Sequence, residues 1–254
     1  ESEMARYSPA EVIIPDGNEN IANWMMALGM NTTPRKAKSW MYPVSKKILE
    51  ERFGNVEELK TYPMAITAAG AILSYATDTQ FSELPHLRPP SLMVKTNTMT
   101  LDAVTLRNLE IVRTISDSSK DTLFAVINRT STAGGSRRLK DWLLRPLHNL
   151  ERIDERHDAV QELFDNTLSR REIRDILKGF QDVERLLSRL GHGSISPRDL
   201  DSLRSSLDTL KDLKQFLSEE PLKSKLMKRL IKSIDPHKQV SQKLAEALVE
   251  DPPL

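Results

Sequence analysis

The sequence predicts a mainly α-helical protein in which a small α/β portion precedes a longer helical portion. From residue 101 onwards, apolar residues recur at spacings of three and four, which is typical of helices that bury one face. A short β-branched run, Ala10–Ile14, ends at Pro15 and Asp16-Gly17, the chemistry of a strand followed by a turn. Charged residues make up 29% of the 254 residues and glycines number only 9, a composition that suits surface-charged helices.

The first portion, residues 1–80, is expected to be the C-terminal part of an α/β domain, because one strand accompanied by helices is an incomplete sheet domain. Three helices follow the strand. The first is marked by Ile21, Trp24, Met25 and Leu28, the second by Val44, Ile48, Leu49 and Phe53 with Gly54 as its stop, and the third runs from Pro63 to about Thr79. Residues 81–100 contain three prolines and no helical stripe, which predicts an extended linker.

Residues 101–164 are expected to form a packing hub. Asn128-Arg129-Thr130 ends an apolar run, and the Thr/Ser residues behind it can cap a new helix. Pro146 stops that helix, and Asn149 can cap the next one, whose apolar stripe is Leu150, Ile153, Val160, Leu163 and Phe164. The residues expected to be central to the hub are Leu139, Trp142, Leu143, Pro146, Ile153 and Phe164.

Further helices are predicted after the hub, around Ile173–Leu177 and Val183–Leu190, and residues 191–194 break the chain. Ser196 reads as an N-cap, with Pro197 at the first helical position. The stripe that follows is heptad-like (Leu200, Leu203, Leu207, Leu210, then Leu213 and Leu217). Two more stripes complete the chain, Leu222 to Ile234 and Val240 to Leu248.

Catalytic, cofactor and metal sites are not predicted. The glycines of residues 133–137 and 191–194 lack the spacing of a phosphate-binding loop, and the chain has no cysteine. Asp154, His157, Asp158 and Glu162 share a helix at spacings that a metal could use. They alternate with Arg152 and Arg156, however, which favours a solvated face of ion pairs. The chain is therefore expected not to be an enzyme. It also has no signal peptide or membrane-length apolar run, so a cytoplasmic protein is expected.

Contact with nucleic acid is the main alternative function. Residues 123–128 and 132–145 suggest a helix-turn-helix, in which four cations would contact phosphates: Arg137, Arg138, Lys140 and Arg145. Against this reading, the formal net charge is only +1, and Leu139, Trp142 and Leu143 demand burial on the adjacent face. A purely structural helical adaptor is a third possibility.

Several stretches resemble the MutS family of DNA mismatch-repair proteins. They are LDAVTLRNLEI, NRTSTAGGSRRLKDWLLRPL, ERIDERHDAVQELF and ILKGFQDVERLLSRLGHGSISPRDLDSLRSSL, together with the region from SPAEVIIP to DTQFSELPHL. The resemblance covers most of the chain. One departure is Gly134, where the family often has methionine. The resemblance implies that residues 1–80 are the C-terminal part of a connector domain, 81–100 a linker, and 101–254 the N-terminal part of a helical core and lever domain.

The same resemblance implies a function for the whole protein. MutS-like proteins recognise mismatched double-stranded DNA, bind ATP with Mg²⁺, pair with a second MutS-like subunit and recruit a MutL-type protein, in the cytoplasm or at the nucleoid. The clamp and ATPase domains are expected to lie outside this chain, so its implied role is that of a scaffold and conformational relay between them. The resemblance also implies a matching set of helices outside this chain that pairs with the helices of residues 197–250. Without them, part of the Leu200 stripe is expected to lack a partner, so that the chain could self-associate through its lever helices.

Overall fold

The computed structural model describes residues 4, 7, 9–56, 59–80, 84, 87–92, 98–116 and 118–249. They form two compact units, Glu1–Lys95 and Thr96–Leu254. The fold is mainly helical with one small parallel sheet near the N-terminus, which confirms the predicted fold class. The predicted boundaries at residues 80 and 101 stay a prediction. Much of the expected linker and the stretch 250–254 lie outside the described residues.

The first unit contains a two-stranded parallel sheet. Strand β1 (Val12–Pro15) pairs with β2 (Thr32–Arg35) in the register Val12 to Thr32, and helix α1 (Glu19–Ala27) connects them. Strand β2 was not predicted from the sequence, because Thr-Thr-Pro-Arg has no apolar alternation and contains a proline, which sheets accept only at edges or strand ends. A 3-10 turn at Ala37–Trp40 then leads into the helical part.

The core of the first unit lies between α2 (Tyr42–Phe53) and α3 (Pro63–Gln80). Leu49 and Ile66 are buried there, with Val56, Leu59 and Leu73 around them. The two helices approach closely where Gly70 faces Ser45, a fully buried residue. The Ser45 hydroxyl lies 3.2 Å from the carbonyl oxygen of Thr67 and 3.3 Å from that of Ser39, so this polar group is hydrogen-bonded in the core.

Among its described residues, the second unit is built from helices, with one isolated bridge between Thr98 and Leu147. In chain order the described helices are α4 (Ala103–Asn108), α5 (Leu123–Ile127), α6 (Ala133–Leu144), α7 (Leu150–Asp165), α8 (Thr167–Leu177), α9 (Val183–Gly191), α10 (Pro197–Glu219), α11 (Lys225–Ser233) and α12 (Lys238–Ala247).

Side-chain N-caps begin eight consecutive helices of this unit. Each capping oxygen accepts a hydrogen bond from a backbone N–H in the first turn, and the caps are Asp102, Thr122, Thr132, Asn149, Asn166, Asp182, Ser196 and Ser224. The N-cap at Ser196 is confirmed, and Ser196 forms a reciprocal capping box with Asp199. Helix α12 differs, since His237 precedes it with a left-handed backbone and no side-chain cap.

Helix α10 is the central element of the second unit. Its stripe residues Leu203, Leu207, Leu213 and Leu217 are buried, against α8, α9, α11 and α12. The expectation that this stripe lacks partners is therefore wrong for these four residues. The other helices of the same unit already cover them, and Leu213 and Leu217 share a core cluster with Ala159, Leu222 and Met227.

The exposed apolar face lies on α7 instead. Leu150 is 74% exposed, Val160 66% and Phe164 67%, although the sequence placed all three in the buried stripe. Helix α7 packs through Ala159 and Leu163. Since successive residues are rotated by about 100°, Val160 and Phe164 point away when Ala159 faces inward. The expected burial of this stripe is thus wrong for three of its members, whereas Ile153 and Leu163 are half-buried.

Candidate functional site

The turn before α6 fixes the position of the predicted basic helix. The side-chain amide of Asn128 donates to the Ser136 hydroxyl at 2.9 Å, and its oxygen accepts from the Thr130 hydroxyl at 2.8 Å. Thr132 then caps the helix by accepting from the N–H of Gly135 at 3.0 Å. Short polar side chains of this kind form local hydrogen bonds with the backbone and with neighbouring side chains, which favours turns. The Asn-Arg-Thr-Ser-Thr segment is therefore a turn that side-chain hydrogen bonds hold against the start of α6.

Arg137 is bound within the unit. Its guanidinium donates two hydrogen bonds to the Asp182 carboxylate, at 2.7 and 2.9 Å, and lies 2.6 Å from Glu184. The hydrogen bond to Asp182 raises the pKa of Arg137, and the same contact lowers the pKa of Asp182. Asp182 also caps α9. Bidentate pairing of this kind fixes both partners, so Arg137 joins α6 to the start of α9.

The other predicted cations of α6 differ in their surroundings. Arg145 lies 3.4 Å from Asp141 and has only 20% of its side chain exposed. Arg138 is 70% exposed and 3.8 Å from the same carboxylate. Lys140 is exposed and has no ion pair with any residue that the structure describes. A helix-turn-helix contact with phosphates stays a prediction, with Arg138 and Lys140 as its accessible cations.

The expected hub residues are only partly brought together. Leu143 packs against a small core made by Leu106, Ile111 and Leu144, whereas Trp142 is 37% exposed. The expected burial of Trp142 is therefore wrong, and so is that of Phe164. Leu139, Pro146 and Ile153 are half-buried. The Pro146 carbonyl accepts a hydrogen bond from Met99 at 2.7 Å. Leu144 was missed because it falls outside the three- and four-residue spacing that groups Leu139 with Trp142 and Leu143.

Three carboxylates join α7, α8, α10 and α11, and we call them, with their partners, the carboxylate clasp: Glu155, Glu162 and Glu220. Glu162 accepts hydrogen bonds from the backbone N–H groups of Lys223 and Ser224, the latter at 3.1 Å. Burial raises the pKa of Glu162, but these hydrogen bonds outweigh it and the net shift is downward. Glu162 is therefore ionised at neutral pH and holds the turn before α11.

The clasp continues on either side of Glu162. The Arg229 guanidinium donates to Glu155 at 2.8 Å, and this hydrogen bond lowers the pKa of Glu155. Glu220, at the C-terminal end of α10, accepts from the hydroxyl of Ser169 and from the amide of Asn166, the latter at 3.4 Å. Ser169 is buried, and Asn166 is the N-cap of α8. The corner between α7 and α8 is thus held to the corner between α10 and α11.

A groove of about 1000 Å³ runs beside the clasp, between α7 and the start of α11. Its lining includes Asp154 and Asp158, which the sequence analysis considered as metal ligands, and Lys223 and Lys225 on the opposite wall. No group of three or more His, Cys, Asp or Glu suited to a metal ion occurs among the described residues. In the same part of the chain, no helix is both long and apolar enough to cross a membrane.

Comparison with known proteins identifies related chains. The family model for MutS domain II matches residues 1–88, and the model for MutS domain III matches residues 104–254. Three relatives carry the name DNA mismatch repair protein MutS. The one from Pelotomaculum thermopropionicum is 36% identical over 99% of this chain and 30% of its own length. The one from Methanothrix thermoacetophila is 35% identical over 99% of this chain and 28% of its own length. The one from Methanosarcina acetivorans is 32% identical over 100% of this chain and 29% of its own length. The chain spans less than a third of the length of these relatives.

Proposed function

Because the chain belongs to the MutS family, whose domains II and III it matches, we propose that it is the scaffold and conformational relay of a DNA mismatch-repair protein. The whole protein would recognise mismatched DNA in the cytoplasm or at the nucleoid, couple recognition to ATP and Mg²⁺, and work with a second MutS-like subunit and a MutL-type partner. The matched domains do not include the ATPase domain, so this segment would have no catalytic activity of its own.

The carboxylate clasp is the observation that supports a relay. A relay must transmit displacement, and packed elements joined by fixed contacts transmit it better than loosely connected ones. Helix α10 has 23 residues and is therefore about 35 Å long. The clasp joins its C-terminal end to α8 through Glu220, while Glu162 and Glu155 join the next helix, α11, to α7. A movement of α7 would therefore carry the end of α10 with it.

Hydrogen exchange followed by mass spectrometry tests whether the clasp couples these helices. Glu162→Gln keeps the shape of the side chain but removes the charge that strengthens its bonds to two backbone N–H groups. We expect faster exchange in α11, which Glu162 contacts, and also in α8, which it does not contact directly. Asp158→Asn is the matched control, because it removes one charge from an exposed position of the same helix. Equal exchange in the two variants would refute the coupling.

A chimera tests the function itself. We would replace the region of the Pelotomaculum relative that matches this chain with this segment, and measure ATP hydrolysis with and without a G·T-mismatched duplex. In the chimera, Glu162→Gln should reduce the response to the mismatch while basal hydrolysis is unchanged, and Asp158→Asn should leave both unchanged. A full mismatch response in the Glu162→Gln chimera would show that the clasp does not serve as a relay.

A further inference from the structure

We propose that the corner between α6 and α7 carries a phosphate-binding site, formed by Arg138 and Arg156 at the Trp142 ring and by Arg152, one turn before Arg156 on α7. It would contact the backbone of duplex DNA without reading its sequence. The choice of ligand rests on the proposed function in DNA repair. The site itself rests on the geometry and charge of four side chains, of which the sequence analysis had singled out only Arg138 as a phosphate contact.

Trp142 and two arginines form the centre of this site. The guanidinium carbon of Arg156 lies 3.7 Å from the centroid of the Trp142 ring, and that of Arg138 lies 6.0 Å from it. A cation held over an indole face is attracted by the ring electrons, which restricts its position. Trp142 itself is 37% exposed, so this corner is accessible to solvent. Arg156 is thus positioned before any ligand arrives.

The hydrogen-bonding capacity of the site is unused. The guanidinium of Arg156 forms no hydrogen bond and no ion pair with any residue in the described part of the chain, and the same holds for Arg152. Each guanidinium has five N–H donors in a planar fork. Arg137, on the same helix as Arg138, uses its fork on the Asp182 carboxylate. An oxyanion bound at the corner would satisfy donors that this unit leaves unpaired.

Charge at the corner is unbalanced. Burial lowers the pKa of Arg156, and the positive charges of Arg138 and Arg152 lower it further. The carboxylate acting against this repulsion at Arg156 is Asp141, which Arg138 and Arg145 also contact, at 3.8 and 3.4 Å. Arg152 also acts on Glu155, but that carboxylate is hydrogen-bonded to Arg229. Arginine keeps its proton under all ordinary conditions, so the repulsion is relieved by a bound anion rather than by deprotonation.

Phosphate of a nucleic-acid backbone fits this chemistry best. The guanidinium fork matches two oxygens of a phosphate, and several arginines near one another follow consecutive phosphates. The acids of α7 line the groove beside α11, and Glu155 and Glu162 among them are engaged with α11 in the carboxylate clasp. A DNA strand could therefore approach the arginine side of α7, and backbone contacts of this kind are independent of base sequence.

Fluorescence anisotropy with the 254-residue chain tests the site. A labelled duplex of about 20 base pairs, fully paired or with one G·T mismatch, is titrated at about 50 and 150 mM salt. We expect equal affinity for both duplexes and steep weakening with salt. The double variant Arg138→Gln/Arg152→Gln should bind at least about fivefold more weakly, and its salt slope should be smaller by about two, one for each lost phosphate contact. Both side chains are exposed, so the fold should be retained.

The matched control is Arg171→Gln/Arg185→Gln, which removes the same charge from exposed positions of α8 and α9. Its affinity should stay within about twofold of that of the unaltered chain. The two removed charges do not contact the DNA in this proposal, and salt screens their long-range attraction to it. Equal weakening in the two double variants, or no salt-dependent binding by the unaltered chain, would overturn the proposal. So would tighter binding of a labelled Asp/Glu-rich peptide than of the duplex, which would indicate a protein partner. The exchange test of the relay uses no DNA, so the two proposals fail separately.

Discussion

Gly70→Ala is expected to destabilise the first unit, although alanine is the better helix former. A Cβ atom at residue 70 would lie 2.4 Å from the Cβ of Ser45, 2.5 Å from its Cα and 2.8 Å from its carbonyl oxygen. Carbon atoms in contact prefer about 3.5–4.0 Å, so α2 and α3 would have to separate by about 1 Å. Two of the three atoms belong to the backbone, which cannot rotate away.

The magnitude follows from two opposing terms. Replacing glycine by alanine inside a helix stabilises it by about 1 kcal/mol. Overpacking a core costs about 1–3 kcal/mol, and a contact with backbone lies at the upper end. Separation of the helices would also loosen the contacts of Leu49 and Ile66, which are almost fully buried. We therefore expect a net loss of about 2 kcal/mol in the free energy of unfolding, roughly a thirtyfold change in the equilibrium constant.

Urea unfolding, with hydrogen exchange to assign each transition to its unit, measures this effect. Gly134→Ala provides the control. It is the same chemical change inside a helix, but an added Cβ at residue 134 has no atom within 4 Å. This variant should be as stable as the unaltered chain or more stable, by up to about 1 kcal/mol. If Gly70→Ala matched or exceeded the stability of the unaltered chain, α2 and α3 would not approach as closely at this position as the reasoning requires.

Two further predictions concern the second unit. Arg137→Gln should lower its stability by about 1 kcal/mol at pH 7, since the pair with Asp182 is bidentate but partly exposed. The hydrogen bond from Arg137 holds the pKa of Asp182 below its ordinary value of about 3.9. This stabilisation is therefore present above about pH 4 and is lost as the pH falls through the lower, folded-state pKa, so the urea midpoints of the two proteins should converge in acid. Leu207→Ala, at a residue 7% exposed, should cost about 3 kcal/mol. Leu150→Ala, at a residue 74% exposed, should change the stability by less than about 0.5 kcal/mol, and a larger loss by thermal or urea unfolding would show that α7 packs through its outer face.

Local chemistry made much of the second unit predictable. The starts of α6, α7 and α10 could be read from Thr132, Asn149 and Ser196, because an N-cap depends only on residues within one turn. Resemblance to the MutS family was equally accessible, since it depends on the order of short stretches along the chain. Strand β2 was not predictable, because its pairing with β1 comes from the fold and not from its own four residues.

The direction in which a helix faces was the harder problem. An amphipathic stripe shows which residues share a side, but not which of two possible sides the neighbours cover. Helix α7 has apolar residues on both, and Ala159 with Leu163 face the core whereas Val160 and Phe164 do not. The same limit applies to the site at the corner of α6 and α7. Arg152 and Arg156 looked like members of an ion-pair face, whereas in the structure Arg156 lies over the Trp142 ring and neither arginine forms a salt bridge with an acidic residue in the described part of the chain.

The eight successive N-caps have a consequence for how this sequence can evolve. Each helix start in the second unit is specified by one or two short polar side chains, independently of the core beneath it. Apolar positions can therefore exchange leucine, isoleucine or methionine without shifting the point at which a helix begins, which keeps neighbouring helices in step. Over long divergence, the N-cap residues should therefore change more slowly than the apolar residues within the helices. Helix α12, which begins at His237 without such a cap, is where the boundary should drift first.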